Sequence, residues 1–277
     1  MSTDHCATMQ KNIEQYQSKG YVILEDAIPP EKLSEVQESY EETVADAIHL
    51  GFAEKDETTG LMKGYRFQNP HHPQLARRPL TEAISSPPII EFVSELVGGE
   101  FAFFGFAAFA MNEDFDYRGG WHRDSYAAWG KDSPEEMRIR ELKHYKCTQV
   151  LLALRDDECF WFVPGSHNRP NTPDEEAHFD ENRTGWEEMF EGAIQVKLRA
   201  GSAVPFDSRG IHRGLKRPGV SRRSVFIVYG PLEELKNSAI NGWAQDPVYS
   251  DEEYLASLPA PLRESIERSI RIVERDG

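Results

Sequence analysis

FAFFGFAAFAM, residues 101–111, is the stretch on which the fold of this 277-residue chain turns. Upstream of it, apolar residues recur at three- and four-residue spacing, the mark of helices with one buried stripe. From Phe101 to about Gly230 they come instead in short runs punctuated by turn residues. The further strands expected are Thr148–Leu154, Phe160–Val163, Ile194–Leu198, Ala203–Phe206 and Ser224–Tyr229. Strands at this spacing predict a sandwich or barrel, and such folds run to about 200–250 residues as one domain. A membrane span needs roughly 20 apolar residues, so residues 101–111 are too few for one.

Working outward, Gln10–Lys19 predicts a helix that Gly20 ends before a short strand, Tyr21–Leu24. Pro29-Pro30 opens a long helix whose buried stripe is Leu33, Val36, Tyr40, Val44, Ala47 and Ile48. Residues 51–79 read as a loop, and Pro87-Pro88 starts a helix that Gly98-Gly99 stops. A last helix is expected over Pro259–Val273. The chain is thus read as a single domain, 1–277: a mainly helical support (1–100), a strand core (101–230) with insertions at 127–144 and 171–191, and a helical extension (231–277). Trp186, Met189 and Phe190 of the second insertion are placed to dock on the body.

Lys+Arg number 31 against 47 Asp+Glu, a formal charge of -16, with 39% apolar residues. Such a surface repels phosphate backbones and anionic lipid, so neither nucleic acid nor membrane is an expected partner. Three cysteines without metal-ligand spacing predict neither disulfide framework nor zinc knuckle. With no signal-peptide pattern, the expected compartment is the cytoplasm.

The sharpest chemical feature is Trp121-His122-Arg123-Asp124. On extended backbone, residues two apart share a face, so His122 and Asp124 present an imidazole and a carboxylate together while Arg123 points away. The segment running from Gly201 to His212 offers a second imidazole. Two histidines and one carboxylate on one side of a metal leave the other side open, as non-haem iron oxygenases require; zinc is the rival metal. Eleven residues after His212 comes Arg223. If it faces inward, so do Val225, Ile227 and Tyr229, giving an apolar slot with a guanidinium at its floor for the distal carboxylate of a keto acid. Arg222 would then point to the opposite face. A zinc hydrolase has no need of this arginine.

These residues resemble the phytanoyl-CoA dioxygenase family of Fe(II)/2-oxoglutarate oxygenases. The likeness is carried by the Tyr16–Leu33 entry, the Ser86–Gly98 helix, His122-x-Asp124, the Val163-Pro-Gly-Ser-His167 turn, the segment ending at His212, and Arg223. The resemblance implies a mainly β fold with flanking helices, a double-stranded β-helix or distorted, cupin-like jelly roll. It also implies iron held by His122, Asp124 and His212, with 2-oxoglutarate bound by Arg223 and, beside the carboxylate, Ser125. In the implied reaction O2 and 2-oxoglutarate are consumed, succinate and CO2 released, and a C–H bond oxidised. His167 is expected to shape the barrel wall. Two departures stand out: Asp157-Glu158-Cys159 replaces an Asn-Gly pair common in the family, and no glutamine lies at the family's distance upstream of His122 to contact the keto acid. Asn112 is nearer, Gln149 lies on a later strand, and that role stays unassigned. Because halogenating relatives replace the carboxylate, Asp124 favours hydroxylation.

The substrate expected is a small metabolite or natural-product intermediate. Candidate contacts are Tyr65, Arg66, Tyr126, Trp129, His144, Trp161 and Arg213. Desaturation or ring closure, a zinc-dependent hydrolase or isomerase, and a non-catalytic jelly-roll binding protein are the alternatives. Between Lys197 and Arg223 lie eight basic residues and one acid, a local reversal of the chain's sign that suits an anionic co-substrate.

Overall fold

A computed structural model describes residues 3–124, 147–169, 171–178, 189–232 and 239–276. Among the described residues nine strands form two antiparallel sheets. They are β1 (Arg66–Gln68), β2 (Phe101–Met111), β3 (Tyr117–Arg118), β4 (Thr148–Ala153), β5 (Asp157–Phe162), β6 (Ile194–Leu198), β7 (Ala203–Phe206), β8 (His212–Lys216) and β9 (Arg222–Pro231). The larger sheet has the order β1-β2-β9-β4-β7 and the smaller β3-β8-β5-β6. Side chains from the two inner faces, among them Leu151, Ala153, Phe160, Phe162, Val204 and Phe206, meet in one apolar layer. This is the mainly β jelly roll with flanking helices that the sequence predicts.

The helices pack outside the larger sheet: α1 (Thr3–Lys19), α2 (Leu33–His49), α3 (Arg78–Ile84), α4 (Pro87–Val97) and, after a short Pro173–His178 helix and another at Glu252–Ser257, a final helix over Ala260–Asp276. Val36, Tyr40, Phe92, Leu262 and Ile266 share a core there with Val150, Leu152, Val225, Ile227 and Tyr229. Strands β4 and β9 are therefore covered on both faces. Gly98 ends α4 in the left-handed region at φ 74°, as its position predicts. Residues 51–79, expected as loop, contain β1 and the start of α3. Three residues carry too short a pattern to announce an edge strand. Expected strand Tyr21–Leu24 reduces to two bridges, Tyr21 to Phe206 and Leu24 to Ala203. Of the second insertion, Phe190 stacks on Trp121 with ring centroids 5.2 Å apart; Trp186 and all of 127–144 lie outside the described residues. Among the described residues no helix is long and apolar enough to cross a membrane.

One core residue sets a pH dependence. His71 is fully buried against Phe103, Phe106, Trp243 and Tyr249, and neither ring nitrogen has a hydrogen-bond partner among the described residues. Burial pushes its pKa down to about 3. The unfolded chain takes up this proton near pH 6.5 and the folded chain does not, so the cost is absent above pH 6.5 and grows as pH falls toward 3. Between pH 7 and pH 5 the wild type is expected to lose about 2 kcal/mol that His71→Phe retains. Parallel denaturant titrations at the two pH values check this, and equal losses in both proteins would refute it.

Candidate metal centre

His122 and His212 are brought together by a single antiparallel bridge. The amide of each donates to the carbonyl of the other at 3.0 Å. Their rings stand 4.4 Å apart between centroids. Asp124 follows, its amide bound to the Ser208 carbonyl at 3.0 Å. One ligand atom from each of His122, Asp124 and His212 falls within 4.8 Å of the other two. Nε2 of His122 is 3.3 Å from Asp124 Oδ1, and Nε2 of His212 is 3.6 Å from Oδ2.

Both imidazoles are oriented the same way. His122 Nδ1 lies 2.9 Å from the Gly120 carbonyl and His212 Nδ1 lies 2.9 Å from that of Gly210. A carbonyl only accepts, so each Nδ1 carries a proton and each Nε2 is the ring atom turned to the cluster. Burial, with the charge of His122 beside it, lowers the His212 pKa to about 4, which keeps this ring a neutral donor. Burial would raise the Asp124 carboxyl, but His212, His122 and Gln149 together hold it well below the usual range. Burial works against a charge on His122, but the hydrogen bond and charge of Asp124 and the Gly120 carbonyl raise its pKa above the ordinary value, so a metal bound there would displace a proton from this ring. With that proton gone, two ring nitrogens and one anionic oxygen, with His122 half-exposed and His212 buried, make a three-ligand face open on one side. That donor set fits a divalent transition metal.

Arg123 points away from the cluster, as strand alternation predicts. Its guanidinium donates to the Ser166 carbonyl at 2.7 Å, to the Arg209 carbonyl and to Asn171 Oδ1. It thereby ties the metal strand to the Pro164–His167 turn. His167 is buried in that turn with Nε2 3.1 Å from the Gln17 carbonyl at the end of α1, away from the metal face.

Arg223 does not face the interior. On β9 the residues facing the apolar interior are Ser224, Phe226 and Val228, and the arginine in phase with them is Arg222. Arg223 does share a face with Val225, Ile227 and Tyr229, but that face meets the helices. Its Nε donates to Glu41 of α2 at 2.8 Å, and its remaining donors reach the Met111 and Arg222 carbonyls and Asn112. Arg222 is buried with its Cζ 5.1 Å from the Phe109 ring centre. Its Nε donates to Asp157 at 2.7 Å, and its two terminal nitrogens have no partner among the described residues. Asp157 explains the departure at its position: one oxygen takes Arg222 and the other the Cys159 amide at 2.7 Å. Acids of the run itself and of other segments offset part of its charge. Lys197 meets Glu158, Arg199 meets Glu25, and Arg209 meets Asp207.

A cavity of about 480 Å³ leads to Asp124, lined by Arg66, Gln68, Asn69, Gly105, Phe106, Ala107, Gln149, Phe226 and Val228. Arg66, Gln68 and Asn69 also line a second cavity of about 690 Å³ toward His72, Trp243 and Tyr249. Of the candidate substrate contacts, Arg66 lines both, and Tyr65 stacks on Tyr117 at 4.8 Å. Arg213 is corrected: it is 1% exposed, with its guanidinium over Trp121 at 4.4 Å and Trp161 at 5.7 Å, and it lines neither cavity. Trp161 belongs to this same stack and lines neither cavity. Ser125, Tyr126, Trp129 and His144 lie outside the described residues. Gln149, unassigned from sequence, donates to Asp124 Oδ2 at 2.6 Å.

The profile of the family described as phytanoyl-CoA dioxygenase (PhyH) matches residues 16–224. No curated protein sequence matches the chain. Among solved structures, EctD from S. alaskensis with bound Fe is similar at a TM-score of 0.60 and 15% identity, over 84% of this chain and 78% of that one. AviO1 from Streptomyces viridochromogenes Tue57 is similar at 0.57 and 18% identity, over 80% and 94%. The epimerase SnoN, in complex with Fe3+, alpha ketoglutarate and nogalamycin RO, is similar at 0.57 and 18% identity, over 82% and 85%.

Proposed function

The chain belongs to the phytanoyl-CoA dioxygenase family, and from that premise we propose that it is an Fe(II)- and 2-oxoglutarate-dependent oxygenase that hydroxylates a C–H bond of a small metabolite. The observation that carries this is the His122–Asp124–His212 cluster, whose Asp124 lines a cavity against a sheet that also turns one buried arginine inward. Iron supplies the O2 chemistry that no side chain here possesses. In the overall change one oxygen atom of O2 enters succinate, formed with CO2 from 2-oxoglutarate, and the other enters the substrate as a hydroxyl group.

The protein's own part is to bind, orient and exclude water. His122, His212 and Asp124 hold the metal from one side. Arg222, whose terminal nitrogens form a planar fork, takes the distal carboxylate of 2-oxoglutarate in place of Arg223. Phe226, Val228 and Ala107 give the cavity an apolar wall. Arg66, at the junction of the two cavities and without an ion-pair partner among the described residues, suits a polar or anionic group on the substrate. The ionised Asp124 occupies the position that a halide would need, which favours hydroxylation over halogen transfer. Desaturation, ring closure or epimerisation would use the same groups on a different substrate.

The test is oxygen uptake and succinate release by Fe(II)-loaded protein with 2-oxoglutarate, alone and with a panel of small metabolites. Iron-dependent succinate formation is expected, accelerated by the true substrate. Stoichiometric zinc together with no succinate from the iron-loaded protein would favour the hydrolase reading instead.

A further inference from the structure

Three residues of β4 face the interior, Gln149, Leu151 and Ala153, and only the first is polar. The backbone at Gln149 is fixed from both sides, paired with Phe206 of β7 and Val228 of β9. Its side chain is 4% exposed. Nε2 donates to Asp124 Oδ2 at 2.6 Å, whereas Oε1 is buried with no donor among the described residues. A buried acceptor left unmet is destabilising, and an apolar side chain of similar volume would avoid it. Packing therefore does not account for a glutamine here; the bond to Asp124 does.

That bond distinguishes the two carboxylate oxygens. Oδ2, on the His212 side, is engaged by the amide, while among the described residues Oδ1 meets only the His122 ring, itself one of the three clustered groups, at 3.3 Å. We propose that Gln149 is a positioning residue that commits Oδ2 to the protein and leaves Oδ1 as the single oxygen Asp124 offers to a metal. A carboxylate binding through both oxygens would occupy one more coordination position. With one, three positions stay open opposite the protein ligands, the number that a chelating keto acid and O2 require. The proposal rests on the oxygenase reading above, and it extends the site by a residue that sequence spacing does not reveal.

The test uses metal alone. Apo-protein, wild type and Gln149→Leu, is titrated with Fe(II) under anaerobic conditions, and thermal midpoints of the apo forms are measured beside it. Removal of an outer partner of a metal ligand costs typically 10–100-fold in affinity, and a drop in that range is expected for Gln149→Leu. Its apo thermal midpoint is expected to stay level or rise, because the unmet acceptor is gone. X-ray absorption on the metal-loaded proteins is expected to show one carboxylate oxygen at the metal in wild type and two in the variant. Gln149→Met, unbranched and of similar length, should follow Gln149→Leu in all three measurements. Unchanged affinity in both variants overturns the proposal and leaves the oxygenase reading intact. A fall in affinity that tracks a fall in thermal midpoint also overturns it, since a purely structural role predicts that pattern. Wild type that binds no divalent metal overturns both.

Discussion

Arg222→Ala is expected to weaken 2-oxoglutarate binding by roughly 100-fold or more, and Arg223→Ala to leave it within about twofold. Truncating one member of a buried, hydrogen-bonded charge pair costs about 2–5 kcal/mol, and each 1.36 kcal/mol is a factor of ten. Arg222 is 5% exposed and its terminal nitrogens are unpaired among the described residues. Arg223 is committed to Glu41, two backbone carbonyls and Asn112 on the helical side of the sheet. Its loss should appear as about 1 kcal/mol of stability, given that Glu41 is partly exposed. Anaerobic calorimetric titration of 2-oxoglutarate into metal-loaded protein measures both. Because Arg222→Ala strands the buried carboxylate of Asp157, the double variant Arg222→Ala/Asp157→Ala separates a folding defect from a binding defect. A folded double variant that binds 2-oxoglutarate normally refutes the assignment to Arg222. Weakening confined to Arg223→Ala would place the co-substrate on the other face of β9.

His122→Ala and Asp124→Ala should each reduce Fe(II) affinity by roughly 100–1000-fold. Structural metal sites with four ligands bind with about 10–16 kcal/mol, or about 3 kcal/mol per ligand, and these two are supplied by one short segment. The fold should survive both changes. His122 is half-exposed and Asp124 one-third exposed, so neither truncation opens a core cavity. Circular dichroism at unchanged amplitude, combined with lost metal binding, is the expected pair of results. Stoichiometric Fe(II) binding at wild-type affinity in either variant would show that the metal, if any, sits elsewhere.

Part of the site could be read from the chain because two of its three clustered residues are near neighbours and the third follows a recognisable turn. His122 and Asp124 lie two apart, and the turn Asp207–Gly210 delivers His212 directly onto β8. The same holds for the fold: β2, β6 and β7 are bounded as the residue pattern predicts, and Gly98 stops α4 where the sequence places it. The strand β1 went unrecognised because three residues at a sheet edge have no period to detect. Gln149 went unassigned because its partner lies across a 25-residue separation and on no shared element.

The amino-acid sequence by itself determined the identity of the three metal-facing groups and the alternation of strands that carries them. What only the tertiary structure decided was which of two adjacent arginines looks inward. Strand β9 is buried on both faces, against the second sheet on one side and the helices on the other. Apolar residues therefore fall on both phases, and hydrophobic alternation carries no information about direction. The choice is made by two acids far away in sequence: Glu41 on α2 takes Arg223, and Asp157 at the start of β5 takes Arg222. Each of these two guanidiniums is paired with a carboxylate, and only the assembled sheets and helices fix which anion stands on which face.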